Sequence, residues 1–185
     1  MAIILDGKKV SAQVKEQIAA ETADMAKKGI VPGLAVIIVG NDPASRVYVN
    51  NKKKACEVCG IYSEEYSLPE ETTQEELISL VKKLNERNDI DGILCQLPLP
   101  KHLDEKGVID AIYPLNDVDA FHPSNVGAIM IGDYNFLPCT PAGVMELLKS
   151  ENIDVNGKNC VVIGRSNIVG KPMAMLLLHQ NGTVT

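Results

Sequence analysis

The sequence has no tryptophan, two phenylalanines and five tyrosines. With aromatics at 4%, the core must be built from aliphatic side chains. Histidine is scarce as well. His102, His122 and His179 stand at no spacing that suits a set of metal ligands, so no metal is expected. No apolar run reaches the roughly 18 residues of a membrane span, and no membrane partner is expected. The start, MAIILDGKKVSAQ, lacks a basic region and a cleavage pattern, so no signal peptide is read there. Excess positive charge is also missing. Eighteen Lys and Arg face 24 Asp and Glu, for a net charge of −6, which argues against nucleic acid as the main partner. Cysteine is present but odd in number and scattered (Cys56, Cys59, Cys95, Cys139, Cys160). That usage fits free thiols in a reducing, cytoplasmic setting. Cys56-x-x-Cys59 sits late in an expected helix with no second pair, so neither zinc nor redox use is expected.

What is present is an alternation of apolar runs and helical patterns. Ile3–Leu5 reads as a short strand. Val10, Val14 and Ile18 mark one face of a helix running to about Lys28 and closed by Gly29. Leu34–Val39 reads as a buried strand, and Gly40-Asn41-Asp42-Pro43 as the turn after it. A helix follows, with Ser45 as expected N-cap and Gly60 closing it. Ile61–Leu68 is a second strand. Thr73-Gln74-Glu75-Glu76 is a capping box, opening a helix with Leu77, Leu80, Val81 and Leu84 inward. Gly92–Leu97 is a third strand, and Asp104–Ile112 a short helix. This β-α-β-α-β order implies an α/β fold with a mostly parallel sheet.

Tyr48 and Lys52 are four residues apart on the helix after the first strand, so they share a face. They lie in its first turns, near the carboxyl end of that strand, where open α/β sheets bind ligands. An isolated Tyr-x-x-x-Lys is ordinarily a solvated helix face. The third strand, however, ends in Gln96-Leu97-Pro98-Leu99-Pro100, and proline stops a central ladder. Gln96 is therefore expected at the same edge, beside a rigid apolar lip in which one X-Pro bond can be cis. Lys52-Lys53-Lys54 could attract an anionic small molecule. The loop Leu115–Pro123 carries Asp117 and Asp119, which read either as a turn or as acceptors for a polar heterocycle.

Pro138-Cys139-Thr140-Pro141 marks a domain junction, with Thr140 as cap and Pro141 in the first turn of a helix to about Glu151. Asn159–Ile163 reads as a buried strand. Gly164-Arg165-Ser166-Asn167-Ile168-Val169-Gly170 then opens a helix through Leu178, a strand-turn-helix arrangement suited to phosphate. Ser166 stands where G-x-G-x-x-G has its second glycine, so the fingerprint alone is weak. Thr183–Thr185 reads as the start of another strand, so the sequence is expected to be the front part of a longer protein.

Taken in order, Tyr48-Val-Asn-Asn-Lys52, Gln96-Leu-Pro-Leu-Pro100, Asp117-Val-Asp119, Pro138-Cys-Thr-Pro141 and Gly164-Arg-Ser-Asn-Ile-Val-Gly-Lys-Pro172 closely resemble the bifunctional methylenetetrahydrofolate dehydrogenase/methenyltetrahydrofolate cyclohydrolase family. The resemblance covers the whole chain. Ala120 departs from it, standing where the family usually shows glycine. The resemblance implies a three-layer α/β folate-binding catalytic domain over residues 1–140. Residues 141–185 would be the first part of a Rossmann-type NADP-binding domain. It implies oxidation of 5,10-methylenetetrahydrofolate to the methenyl form with NADP, NAD not being excluded, and hydrolysis to 10-formyltetrahydrofolate. By the same resemblance, Lys52, Tyr48 and Gln96 are catalytic: Lys52 serves hydration and ring opening, Gln96 orients it, and Tyr48 stacks on the folate. Leu97, Pro98, Leu99 and Pro100 wall the ring, and Asp119 accepts hydrogen bonds from the pterin. Gly164, Arg165, Ser166, Ile168, Val169, Gly170 and Thr140 bind the cofactor. The partners implied are tetrahydrofolate derivatives and, in the full-length protein, a second copy in a homodimer. Two alternatives stay open: a fragment that binds folate without dehydrogenase activity, and a related NAD(P)-dependent dehydrogenase of another small metabolite.

Overall fold

The computed structural model describes residues 4–185. By internal contacts it divides into two compact units, one over Val14–Val118 and one combining the described residues up to Gln13 with Asp119–Thr185. The first helix, α1 (Gly7–Ala26), runs across that division.

In the Val14–Val118 unit the sheet is centred on β1 (Gly33–Val39), flanked by β2 (Tyr62–Leu68) and β3 (Gly92–Cys95) in the order β2-β1-β3, with both pairings parallel. The GLAVIIV run has no polar face because both faces of β1 are covered. Ala35, Ile37 and Val39 pack on one side with Leu77, Val81 and Leu84 of α3 (Gln74–Asn85) and Val108 of α4 (Glu105–Ala111). Val36 and Ile38 pack on the other with Val49 of α2 (Pro43–Cys59). These are the three layers expected. Each fully buried Ile or Val contributes about 1.5–3 kcal/mol relative to an exposed one.

Local chemistry sets the element ends. Thr73 and Glu76 form the capping box, each accepting from the other's backbone amide. The Thr73 amide beside Glu76 holds that carboxyl below its ordinary range. Gly60 closes α2 at φ 67°, a left-handed conformation that suits glycine. Gly33 is required for a different reason. A Cβ there would lie 1.9 Å from the Asp89 carbonyl oxygen. Arg87 bonds Glu64 and Tyr66 of β2, both half-buried, and Asp89. Cys56 and Cys59 are both buried, and burial pushes the Cys56 thiol up, away from the thiolate that metal or redox chemistry uses.

In the other unit, α5 (Pro123–Ile131), α6 (Cys139–Ser150) and α7 (Gly170–His179) accompany a two-stranded parallel sheet, β4 (Asn159–Cys160) with β5 (Thr183–Val184). Val155, Met173, Leu176 and Leu177 form its core. The His179 ring Nε2 meets the Ile129 carbonyl at 2.7 Å, tying α7 to α5.

Several expected elements differ. Of the strand expected at Ile3–Leu5, Ile3 lies outside the described residues, and Ile4 and Leu5 are in no strand. Asp42, not Ser45, caps α2. Its carboxylate accepts from the Ser45 amide at 2.7 Å, because Pro43 already fits the first helical turn. That amide holds the Asp42 carboxyl below its ordinary range. β3 stops at Cys95, two residues early. Helix α6 begins at Cys139 with Pro138 at the cap position, so Thr140 lies inside the first turn and caps nothing. Of the expected buried strand Asn159–Ile163, Asn159 and Cys160 are in strand conformation, the Val162 amide still donates to the Thr185 carbonyl at 2.8 Å, and Val161 and Ile163 are exposed. Helix α7 begins at Gly170, where the expected turn ends, and runs to His179, one residue past the expected Leu178. Helix α5 was not anticipated.

Candidate functional site

The carboxyl ends of β1 and β3 lie side by side, since Ile37 is in register with Cys95 and the Gln96 amide donates to the Ile37 carbonyl at 2.8 Å. The turn after β1 leads into α2, and the chain leaving β3 carries Gln96. This is how one sheet edge receives groups 44 residues apart. The Lys52 ammonium donates to Gln96 Oε1 at 3.0 Å. Gln96 Nε2 in turn donates to the Leu97 carbonyl at 2.7 Å, which fixes which face of the amide Lys52 meets. Lys52 Nζ also lies 5.7 Å from the centre of the Tyr48 ring.

Exposure separates the roles available to these side chains. Tyr48 is 60% exposed, so its ring offers a flat apolar surface to a ligand. Lys52 and Gln96 are half-buried. The lip Leu97–Pro100 leaves the site with a cis Leu97–Pro98 bond, and Leu99 is buried in the α3/α4 side of the core. The neutral Gln96 amide holds the Lys52 side chain by a hydrogen bond without forming an ion pair.

α2 is held in place by contacts that sequence reasoning missed. Arg46 reaches β2, where it pairs with Glu65 and donates to the Ser67 hydroxyl at 2.9 Å. The Leu99 amide donates to Glu105 Oε1 at 3.0 Å, a second contact not foreseen. The only sequence signal for either is a charged residue near a helix start.

The acidic loop splits. Asp117 is 2% exposed and bridges in parallel to Ile93 of β3, so it belongs to the structural frame. Asp119 falls in the other unit, half-buried. The next residue, Ala120, is buried with φ 56°. This is the left-handed region that costs an alanine about 1–2 kcal/mol and suits glycine.

In the same unit as Asp119, the turn 164–170 joins Gly164, Arg165, Ser166, Ile168, Val169 and Gly170. The Ser166 hydroxyl accepts from the Val169 amide at 3.1 Å and from the Gly170 amide at 3.2 Å. Among the described residues, the amides of Ser166, Asn167 and Ile168 donate to no protein acceptor, and Arg165 is exposed beside them. Free amides, a guanidinium and a helix N-terminus fit a phosphate group. Gly170 is fixed sterically, since a Cβ there would lie 2.5 Å from the Gly164 carbonyl carbon and oxygen. Thr140 is exposed in the first turn of α6.

The model of the tetrahydrofolate dehydrogenase/cyclohydrolase catalytic domain matches residues 5–119. The chain belongs to this family. The family's NAD(P)-binding domain model matches residues 138–185. The chain is 67% identical over 184 residues to the bifunctional protein FolD of Acetivibrio thermocellus, spanning all of this chain and 65% of that relative. Among solved structures of the family, it resembles the FolD methylenetetrahydrofolate dehydrogenase/cyclohydrolase of Campylobacter jejuni with a TM-score of 0.97 and 50% identity. That match covers 99% of this chain and 65% of the other. It also resembles the Trypanosoma brucei enzyme complexed with NADP cofactor and inhibitor, with a TM-score of 0.95 and 39% identity, covering all of this chain and 63% of that one. The chain thus spans about two thirds of the length of the family members it matches. Among the described residues, no helix is long and apolar enough to cross a membrane.

Proposed function

We propose that this chain carries the folate site of a two-step enzyme. It would oxidise 5,10-methylenetetrahydrofolate to the methenyl form with NADP and then hydrolyse that to 10-formyltetrahydrofolate. Family membership supports the reading, and the contact that carries it is Lys52 Nζ on Gln96 Oε1 at the shared edge of β1 and β3. Bound NADP would supply the hydride acceptor for the methylene carbon. The chain's own residues bind and orient the folate and manage protons. Tyr48 stacks on the flat ring system, and Leu97, Pro98, Leu99 and Pro100 wall it. Lys52 moves protons as water adds to the methenyl carbon and the ring opens, and Gln96 holds the ammonium without neutralising it. Asp119 accepts from the pterin amino and ring N–H groups. Arg165, Ser166, Ile168, Val169 and the Gly164/Gly170 turn take the cofactor phosphates, with Thr140 alongside.

In this reading residues 1–140 form the folate-binding domain and residues 141–185 begin the NADP-binding domain. The full-length protein works in the cytoplasm as a homodimer. Folate binding tests the assignment first. A reduced folate is expected to saturate the protein and change the fluorescence of its tyrosines, and Tyr48→Ala should weaken binding about tenfold, as loss of one stacking aromatic does. Equal affinity in Tyr48→Ala would remove Tyr48 from the site. Failure of any reduced folate to bind would point to another small metabolite.

A further inference from the structure

The Gln96 side chain is useful only if its oxygen, and not its nitrogen, faces Lys52. The Leu97 carbonyl selects that orientation by accepting from Gln96 Nε2 at 2.7 Å. The selection is therefore as good as the placement of the Leu97–Leu99 backbone. That segment lies beyond the end of β3 and has no ladder to hold it. Its anchor is a side chain: the Leu99 amide donates to Glu105 Oε1 at 3.0 Å.

Glu105 is itself held in place. It is the first residue of α4, next to the cap Asp104. Gln74, at the start of α3, clamps the Asp104 backbone on both sides. It accepts from the Asp104 amide at 2.9 Å and donates to the Asp104 carbonyl at 3.2 Å. The Leu103 amide donates to the Pro100 carbonyl at 2.9 Å and closes the intervening loop. Leu99 is buried against the same layer. A continuous set of bonds thus runs from α3 through Asp104 and Glu105 to Leu99, then along the backbone to Leu97, Gln96 and Lys52.

We propose that Glu105 is a positioning residue for hydration of the methenyl group, holding the Leu97–Leu99 turn so that Gln96 presents its oxygen to Lys52. The proposal rests on the reading of Lys52 and Gln96 given above. Glu105 touches neither folate nor cofactor in this account. It acts through the backbone it holds, and what matters is an acceptor oxygen, not a charge.

Three variants of the full-length protein test it: Glu105→Ala, Glu105→Gln, and Glu105→Ala combined with Gln96→Ala. Loss of one hydrogen bond is expected to lower kcat for methenyl hydrolysis about three- to tenfold in Glu105→Ala. KM should change less than kcat, since Tyr48 is untouched and the Leu97–Leu99 turn that walls the ring keeps all its atoms. The Gln96 side-chain amide resonances should move. Glu105→Gln keeps an acceptor oxygen and should restore both readings. In the Gln96→Ala background, Glu105→Ala should cost nothing further. An unchanged kcat with unmoved Gln96 resonances in Glu105→Ala overturns the proposal. So does a Glu105→Gln variant as impaired as Glu105→Ala, or an undiminished effect in the Gln96→Ala background. If the unsubstituted protein does not hydrolyse methenyltetrahydrofolate, the functional reading fails, and the Gln96 resonances still decide whether Glu105 sets that amide.

Discussion

Replacing Lys52 by methionine is expected to abolish methenyl hydrolysis while folate still binds. Methionine is an unbranched side chain that ends where the ammonium begins, so it keeps most of the volume but removes the ammonium that donates to Gln96 at 3.0 Å. The Tyr48 ring and the Leu97–Pro100 lip remain, so the affinity for folate should change little. The proton-handling group does not remain. Losing such a group costs about a hundred- to ten-thousand-fold in rate. Stopped-flow mixing of methenyltetrahydrofolate with enzyme, followed to the formyl product, reads the effect directly. Hydration in Lys52→Met at the rate of the parent would remove Lys52 from the chemistry. Loss of binding together with rate would make it a structural residue.

The second large effect is expected at Gly170. Gly164 and Gly170 look alike in the sequence, as the two glycines bounding one turn, but their surroundings differ. A Cβ on Gly170 would meet the Gly164 carbonyl carbon and oxygen at 2.5 Å and the Arg165 nitrogen at 2.7 Å. All three are backbone atoms, which cannot rotate away. A Cβ on Gly164 meets only the Gly170 Cα, at 3.8 Å. Gly170→Ala must therefore push the turn off α7, which is expected to cost about 1–3 kcal/mol of stability. It would also displace the Ser166 hydroxyl from the Val169 and Gly170 amides. NADP binding, measured by titration, should fall by tenfold or more. Gly164→Ala should leave stability within about 0.5 kcal/mol of the parent. Equal melting temperatures and equal NADP affinity in Gly170→Ala would contradict the close approach of the two backbones.

Much of the site was legible because it depends on patterns that sequence carries directly. Helical periodicity places Tyr48 and Lys52 on one face. The apolar run of β1 requires cover on both sides, and the prolines after Gln96 force the chain out of the sheet. Together these bring Lys52 and Gln96 to one edge. What was not legible depends on competition between neighbours. Ser45 is a good cap residue, but Asp42 followed by Pro43 starts the helix earlier, and Ser45 becomes a donor to the cap. Thr140 loses the cap position in the same way, because α6 begins one residue before it. Asp117 and Asp119 look equivalent in a short acidic loop. Only tertiary structure buries one against β3 and leaves the other in the second unit. The run Val161-Val-Ile163 has the composition of a buried strand, and two of its three side chains are exposed in a chain that spans about two thirds of its relatives' length. The Glu105 contact with Leu99 has no periodic signature at all. Ala120 shows the reverse case. An unexpected residue type in the sequence marked the one position in that loop where the backbone takes a left-handed turn.

The time course of the two steps in one vessel tests the Lys52–Gln96 edge most directly. The protein, NADP and 5,10-methylenetetrahydrofolate are mixed, and NADPH, the methenyl species and the formyl product are followed together. NADPH and methenyltetrahydrofolate are expected to appear first. The methenyl species should then decay to 10-formyltetrahydrofolate faster than in buffer alone, with Lys52→Met forming the methenyl species and failing to clear it. No NADPH and no methenyl species, or a methenyl species that decays at the uncatalysed rate, would contradict the claim that the Lys52–Gln96 edge is the catalytic centre.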